Sequence, residues 1–271
     1  MSVLTDRRKK LSDVPLDEMY VIYGEPGSGK TVLASTFPKS TAHKMLFLDV
    51  GEGGTGSIPS AFEDMIDVVR IETFEEFDEV ITDLYNGKTK DSTGKEYSIN
   101  YKTIVIDTIT QVEYILKGML KSNASKSTMT LRLWGEAKDN QEGMYNLMKS
   151  LHQKTSSIMV SIAHVKKIED VDHPGFNVEV PSLMNSATRI LCAKASFVWF
   201  TKAESVQVVD ATTNDITHKT VFNTYVDTHP YLLTKCRKEP KYSKKIPSVI
   251  TNCTYDKFAN EVLEVIKGGT A

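Results

Sequence analysis

Short apolar segments alternate with amphipathic segments over the first two thirds of the chain. Five segments rich in Val, Ile, Tyr and Phe have the length and composition of buried strands: Met19–Tyr23, Lys44–Asp49, Ile66–Ile71, Thr103–Asp107 and Ser157–Ala163. Four segments between them have helical spacing of apolar residues: Lys30–Phe37, Phe74–Tyr85, Thr108–Lys121 and Glu136–Lys154. This alternation predicts an α/β fold with a mostly parallel twisted sheet flanked by helices.

The pattern changes after residue 181. Phe197–Thr201, Ser205–Val209 and Thr220–Val226 are predicted strands joined by short polar turns such as Thr212–Asp215. They indicate an antiparallel β extension on the C-terminal side, closed by a predicted helix over Tyr255–Lys267.

One domain is expected over residues 18–271, with its β-rich extension beginning near residue 195. A basic segment, residues 1–17, precedes it. The polar, turn-rich stretch Gly87–Asn100 is predicted to be a surface insertion.

Composition narrows the class of protein. Of the 271 residues, 40% are hydrophobic and 25% charged, which is typical of globular chains and excludes fibrous and disordered classes. No apolar run approaches the ~20 residues of a membrane span, and no apolar stretch follows the basic residues Arg7–Lys10 as in a secretory signal. Three cysteines without a CxxC motif suggest neither a disulfide framework nor a zinc site. These features favour a cytoplasmic protein without a membrane partner.

Charge is balanced overall and uneven locally. The net charge of -2 excludes a surface that is basic all over. Glu63–Glu79 holds eight acidic residues and one arginine, whereas Lys235–Lys245 holds six basic residues and one glutamate. Any binding of nucleic acid must therefore come from local basic patches.

Residues 24–31 match the phosphate-binding pattern G-x-x-x-x-G-K-T. They lie between a predicted strand and a predicted helix, which is the context that a P-loop requires. Its glycines let backbone N–H groups approach phosphate oxygens, Lys30 neutralises the β and γ phosphates, and Thr31 ligates Mg²⁺. The sequence predicts an ATP and Mg²⁺ site formed by Gly24, Glu25, Pro26, Gly27, Ser28, Gly29, Lys30, Thr31 and Val32.

Two carboxylates complete the predicted chemistry. Asp107 ends an apolar strand and is expected to hold Mg²⁺ through water, although an aspartate at such a position can also be a helix N-cap. No glutamate follows Asp107, so the general base is expected elsewhere. Glu52, in the glycine-rich turn after Leu46–Asp49, is predicted to polarise the attacking water. Asp49 and Glu113 are the alternatives, and a solvated loop carboxylate is the plain interpretation of Glu52.

With these motifs, the chain resembles the RecA-like P-loop ATPases, in particular phage-encoded AAA-type nucleotide-binding proteins of single-strand annealing and recombination. The resemblance spans about residues 18–265 and depends on GEPGSGKT, LFLDVGEGG, VIDT and SIAHVKK. It implies that the catalytic glutamate follows the strand after the P-loop helix, as Glu52 does. It also implies that His164, at the end of the fourth strand, senses the γ phosphate; an ordinary loop histidine is the alternative.

The resemblance further implies that a Lys-x-Arg pair from a neighbouring subunit completes each ATP site in a ring or filament of identical subunits. Lys235 and Arg237 have that spacing, and residues two apart on a strand share a face. A solvated basic stretch is the alternative. The chain shows neither a recognisable separate DNA-binding domain nor an N-terminal oligomerisation helix of the bacterial recombinase type.

Two segments correspond to the DNA-facing loops of RecA-like recombinases. They are Ser122–Trp134, with Lys126, Arg132 and Trp134, and Val165–Pro181, with Lys166, Lys167 and Phe176. Basic residues that follow phosphates and an aromatic ring that stacks on a base are typical of single-strand binding. Both aromatic residues can equally be packing residues.

Three functions remain in view. The first is a Mg²⁺-dependent, DNA-stimulated ATPase acting on single-stranded DNA in phage-type recombination or annealing, in the host cytoplasm, with a single-strand binding or replication protein as a further partner. The second is a nucleotide-dependent replication partner or helicase loader in which ATP switches binding. The third, a small-molecule kinase, is disfavoured because the chain's six arginines are scattered.

Overall fold

One large mixed sheet organises the chain. The computed structural model describes residues 16–170, 173–209, 216–238 and 245–267. Within these residues the strands are β1 Met19–Gly24, β2 Met45–Val50, β3 Ile66–Ile71, β4 Lys88–Lys90, β5 Glu96–Ser98, β6 Thr103–Asp107, β7 Ile158–Glu169, β8 Asn177–Pro181, β9 Phe197–Val209, β10 Ile216–Tyr225, β11 Lys235–Cys236 and β12 Val249–Thr251.

Helices cover both faces of this sheet. They are α1 Lys30–Ser35, α2 Phe74–Asn86, α3 Ile109–Asn123, α4 Leu131–Thr155, α5 Asn185–Lys194, α6 Tyr255–Phe258 and α7 Glu264–Ile266. A π-helical turn, Ala259–Leu263, joins α6 to α7, so the predicted C-terminal helix is interrupted. Two 3₁₀ turns, Gly54–Ser57 and Ser60–Met65, follow β2.

The strand order in the large sheet is β12-β10-β9-β1-β7-β6-β2-β3. The six strands from β9 to β3 are parallel, whereas β10 and β12 continue the sheet antiparallel. β11 pairs with the start of β9, and β8 pairs with the far end of β7. This is the predicted RecA-like α/β fold with an antiparallel edge, and the prediction is confirmed.

The core lies in two layers, because successive side chains of a strand point to opposite faces. Val21 and Tyr23 of β1 pack under α2, α3, α4 and α5. Tyr20 and Ile22 pack under α1 and the C-terminal helices, where Trp199 and Phe258 are fully buried. β1 is buried on both faces, which explains its uninterrupted apolar sequence.

Several predicted boundaries were wrong. β9 is one strand of 13 residues rather than two short strands, and β7 continues six residues beyond the predicted Ala163. α4 begins at Leu131 rather than Glu136, since the Thr130 hydroxyl accepts a hydrogen bond from Leu133 N–H and caps the helix. α5 was not predicted at all.

The structure describes the predicted surface insertion, whereas two other predicted segments lie outside the described residues. Gly87–Asn100 contains the exposed hairpin β4–β5, as expected for a surface insertion. The predicted turn Thr212–Asp215 and the basic residues Arg7–Lys10 lie outside the described residues. Among the helices of the described ranges, none combines the length and apolar character needed to cross a bilayer.

Candidate nucleotide site

The carboxyl ends of the parallel strands bring the predicted site residues to one edge of the sheet. In the pairing of β1 with its neighbours, Gly24 lies opposite Thr201 of β9 and opposite His164 of β7. Asp107, the last residue of β6, lies opposite Asp49 of β2. Such an edge is where α/β sheets commonly bind ligands.

The P-loop is folded around its own lysine. Gly27 and Gly29 have φ values of 76° and 84°, which residues with a side chain rarely adopt. Lys30 Nζ donates hydrogen bonds to the carbonyl oxygens of Gly24, at 3.0 Å, and Glu25, at 2.8 Å. Burial lowers the pKa of Lys30, and the nearby carboxylates of Asp107, Glu52 and Glu25 oppose that shift. These two hydrogen bonds hold the ammonium group inside the loop. A bound phosphate would have to replace the two carbonyls as its partner.

Two residues that the sequence did not single out support the loop. Thr201 Oγ1 lies 2.8 Å from Ser28 Oγ, and a Cβ on Gly24 would come within 2.2 Å of Thr201 O, so only glycine fits there. A Cβ on Gly29 would lie 3.0 Å from the Phe222 ring. Both contacts come from the antiparallel edge, β9 and β10. No motif marks them in the sequence.

Thr31 and Asp107, the two predicted magnesium ligands, are in direct contact. Thr31 Oγ1 donates to Asp107 Oδ2 at 2.7 Å. A Cβ on Gly54 would lie 3.2 Å from Asp107 Oδ2 and 3.3 Å from Thr31 Oγ1, so the absence of a side chain at position 54 leaves room beside this oxygen pair. A hydroxyl and a carboxylate are oxygen ligands of the kind that a hard cation such as Mg²⁺ takes.

Asp107 is buried at the end of β6. Burial raises its pKa, and the hydrogen bond from Thr31 partly offsets the shift. The N-cap of α3 is Thr108, whose hydroxyl accepts from Gln111 N–H. The alternative that Asp107 is merely a helix cap is therefore wrong.

Glu52 and His164, 112 residues apart in sequence, meet at the same edge. His164 Nε2 lies 2.6 Å from Glu52 Oε1, and the Thr108 hydroxyl donates to the same oxygen at 3.3 Å. The His164 backbone N–H donates to Thr110 Oγ1 at 3.1 Å, which fixes the position of the histidine. Glu52 is thus an exposed loop carboxylate that is also hydrogen-bonded to His164 and Thr108. Thr108 and Thr110 were not predicted to take part.

The two alternative carboxylates have other tasks. Asp49 accepts hydrogen bonds from Gly53 N–H, at 3.1 Å, and Thr55 Oγ1, at 3.3 Å, and so shapes the turn that carries Glu52. Glu113 is buried among the helices, where it accepts from Gln141 Nε2 and Met184 N–H. Glu113 is thereby engaged away from the P-loop.

Sequence comparison agrees with the geometry. A family model described as an AAA domain matches residues 17–228, which include the P-loop, Glu52, Asp107 and His164. The chain belongs to this AAA domain family. It is therefore a nucleotide-binding domain of the P-loop ATPase type.

Among solved structures, this AAA domain is similar to the flagellar accessory protein FlaH from Methanocaldococcus jannaschii. The two share 9% sequence identity with a TM-score of 0.43, over 88% of this chain and 85% of the FlaH chain. No curated protein sequence matches this AAA domain.

The Lys-x-Arg pair of the AAA domain lies at the opposite edge of the sheet. Lys235 pairs with Val198 near the amino end of β9, and its Nζ donates to three carbonyls at the end of α5, those of Cys192, Ala193 and Ala195. Arg237 forms an ion pair with Asp17 at 3.7 Å. Lys235 thus caps a helix of its own chain, and Arg237 follows the two-residue strand β11. The role of Lys235 and Arg237 in a neighbouring subunit stays a prediction.

The first predicted DNA segment is shorter than expected. The connection between α3 and α4 covers only residues 124–130, with exposed Lys126 within it. Arg132 and Trp134 belong to the first turn of α4, where Arg132 pairs with Glu136 at 3.2 Å. Lys117 Nζ lies 4.9 Å from the centre of the Trp134 ring.

The second predicted DNA segment is a β-hairpin rather than a loop. Lys166 and Lys167 lie on β7, and Lys166 Nζ donates to Leu183 O and Asn185 Oδ1. Lys166 is thus tied to the protein. Lys167 remains largely exposed beside Glu179 of β8, and Phe176 is half exposed.

Proposed function

We propose that this AAA domain binds and hydrolyses ATP with Mg²⁺ and acts on single-stranded DNA in recombination or annealing. The observation that carries the proposal is the meeting of Lys30, the Thr31–Asp107 pair and the Glu52–His164 pair at one sheet edge. Phosphate binding, metal binding and water activation each need one of these groups, and they need them close together.

The loop residues would act first. Backbone N–H groups of the P-loop and the Lys30 ammonium bind the phosphates, and Lys30 leaves the carbonyls of Gly24 and Glu25 to do so. Thr31 and Asp107 would hold Mg²⁺, which supplies positive charge against the phosphate oxygens.

Glu52 would then accept the proton of the attacking water. Its Oε1 shares a hydrogen bond with His164 Nε2, which helps to orient the carboxylate while it stays open to water. General-base catalysis depends on such placement. His164 is a positioning residue in this scheme, next to the place expected for the γ phosphate.

The DNA part of the proposal is supported by the β7–β8 hairpin. It rises from His164 at the nucleotide edge and carries the exposed cation Lys167 and the exposed ring of Phe176. A cation and a ring placed together suit the backbone and the bases of a single strand.

Hydrolysis measured with and without single-stranded DNA, together with DNA retention at two salt concentrations, tests this proposal. Stimulation and a steep salt dependence are expected. If hydrolysis is indifferent to DNA and no DNA is retained, the role in recombination is excluded, and the nucleotide-switched replication partner or helicase loader takes its place.

Assembly can be tested separately. Molecular mass with and without ATP should show larger species in the presence of ATP if subunits share the site. Mixing Arg237→Ala subunits with Lys30→Ala subunits should then restore part of the hydrolysis. An absence of any rescue would exclude Arg237 from a shared site.

A further inference from the structure

A cavity of about 450 Å³ lies beside the P-loop. Its walls come from the β7–β8 hairpin, from the first half of β9, from the end of β10, and from the segment that follows β10. Glu25 of the P-loop is one of its lining residues. This volume lies within the range of pockets that bind small organic ligands. The nucleotide chemistry described above does not use it.

Aromatic rings form a continuous row along this cavity. Phe200 and Tyr225 have ring centres 5.9 Å apart, Tyr225 and His229 5.4 Å, and His229 and Tyr231 6.0 Å. Tyr231 then stacks with Phe176 of the hairpin at 6.2 Å and an interplanar angle of 17°. Tyr231, which lines the cavity, and Phe176, which stacks on it from outside the lining, are both half exposed, so part of each ring is open to a planar partner.

Two lysines accompany the rings. Lys167 Nζ lies 3.6 Å from Glu179 Oε1, and Lys202 Nζ lies 2.9 Å from Glu204 Oε1. More than half of each lysine side chain is exposed. An ammonium group has three donors, and each of these ion pairs uses one, so both lysines can still bind a phosphate. The glutamate beside Lys202 raises its pKa, which keeps the lysine charged.

The walls of the cavity are tied to each other and to the nucleotide site. Glu179 N–H donates to Tyr231 O, and Leu233 N–H donates to Glu179 O, both at 2.9 Å. The Tyr23 hydroxyl of β1 donates to Glu179 O, also at 2.9 Å. Lys202 follows Thr201, whose hydroxyl contacts Ser28 of the P-loop. A ligand in the cavity would therefore lie against walls that are hydrogen-bonded to each other and next to the P-loop, whose Glu25 is part of the lining.

We propose that this cavity takes up a base of single-stranded DNA, which stacks on the Tyr231 and Phe176 rings while Lys167 and Lys202 bind the adjoining phosphates. Rings supply stacking that tolerates any base, and lysines supply attraction to the backbone. Because Glu25 and Glu179 also line the cavity, the phosphates are expected to stay at the lysines and the base to enter. The inference rests on the proposed DNA function and names its binding site.

A comparison of two strands tests it. Binding of a fluorescent dT strand of about thirty nucleotides is measured by anisotropy, with a non-hydrolysable ATP analogue and Mg²⁺ present. An abasic strand of the same length keeps the phosphates and removes the bases. The unaltered protein should bind the dT strand about tenfold more tightly than the abasic strand.

Substitutions locate the effect. Tyr231→Ala should weaken binding of the dT strand about tenfold and lose the preference over the abasic strand, whereas Tyr231→Phe should keep both. Phe176→Ala, at a half-exposed ring, is a second variant with the same expectation.

Lys202→Gln should weaken binding of both strands and lower the salt dependence by about one ion. Tyr114→Ala, at an exposed tyrosine of α3, is the matched control and should bind as the unaltered protein does.

The outcomes separate the two proposals. If the unaltered protein prefers the dT strand, and both the Tyr231→Ala and Phe176→Ala proteins keep that preference, the cavity is not the base site and the DNA function stands. If the unaltered protein binds the two strands equally, stacking plays no part and the cavity assignment is overturned. If it binds neither strand, the DNA function falls together with the cavity.

Discussion

The side chains of Lys30 and Lys235 both donate hydrogen bonds to backbone carbonyls, and they do so at opposite edges of the same sheet. Lys30 donates to two carbonyls of its own P-loop, and Lys235 donates to three at the end of α5. Burial lowers the pKa of both. Their surroundings differ in charge. Three carboxylates face Lys30, whereas Arg237 and Lys149 add positive charge around Lys235.

This difference separates a ligand-binding lysine from a structural one. Around Lys30 the loop is built of glycines and a short helix begins, so the carbonyls can be exchanged for phosphate oxygens. Around Lys235 the carbonyls belong to the end of a packed helix, where a cation stabilises the helix dipole. Both lysines donate hydrogen bonds to backbone carbonyls, and only Lys30 is expected to exchange these carbonyls for a ligand.

Replacing Lys30 with Ala should have the largest effect. Two or more charged hydrogen bonds to phosphate are lost, so ATP affinity should fall by roughly a hundredfold or more. Isothermal titration calorimetry with ATP measures this affinity. The folded state should persist, as monitored by circular dichroism. Retained ATP affinity would show that the P-loop assignment is wrong.

Replacing Glu52 with Gln should leave ATP binding near its original strength and lower turnover by about 10²–10⁴-fold. The amide keeps the shape of the side chain and cannot take the proton from water. Steady-state hydrolysis and ATP titration measure the two effects. Asp49→Asn alters the β2 carboxylate that shapes this turn and serves as the comparison. Normal turnover of the Glu52→Gln protein would assign the base to another carboxylate.

Replacing Lys235 with Met should act on stability alone. The three hydrogen bonds to the end of α5 are lost while most of the side-chain volume remains, so the free energy of unfolding should fall by about 1–2 kcal/mol. Urea unfolding measures the change, and ATP affinity should not move. A loss of hydrolysis without a loss of stability would mean that Lys235 serves a nucleotide site after all.

Replacing Phe222 with Ala should have the smallest effect. Its ring supports Gly29, and a looser loop should bind ATP roughly threefold to tenfold less tightly. Inorganic triphosphate should lose the same factor, because the ring contacts the loop. A loss confined to ATP would show that the ring contacts the base instead. Val206→Ala, on the neighbouring strand β9, is the control.

The P-loop could be predicted because its eight residues are contiguous and each has a defined task. Asp107 could be predicted because it ends an apolar strand. The meeting of Glu52 with His164 depends on a sheet order in which β7 lies beside both β1 and β6. Spacing along the chain does not contain that order, so the contact between these two side chains was not predicted.

The remaining site residues could not be found from sequence. Thr201, Phe222 and Gly54 act through contacts made only after folding. Gly54 ends the LFLDVGEGG segment, but nothing in that segment marks its place beside Asp107. The task of Lys235 depends on where α5 ends, and α5 itself escaped prediction. Its buried residues Ala187, Thr188, Leu191 and Cys192 are spaced as on one helical face, with only one large apolar side chain among them.

The sequence predicts two short strands in place of β9, because Lys202 and Glu204 interrupt its apolar run. These side chains point to solvent from a two-stranded ribbon that leaves the packed sheet, where polar residues carry no penalty. The same reasoning explains β7, whose last six residues leave the core and form the hairpin with β8.

The position of the Lys30 ammonium has a kinetic consequence. A nucleotide that arrives finds the lysine already occupied by two carbonyls, and those contacts must break before the phosphates can take their place. Association then has two steps, an encounter followed by an exchange inside the loop. At high nucleotide concentration the observed association rate should stop rising. The plateau would then equal the rate at which the hydrogen bonds from Lys30 to the loop carbonyls break.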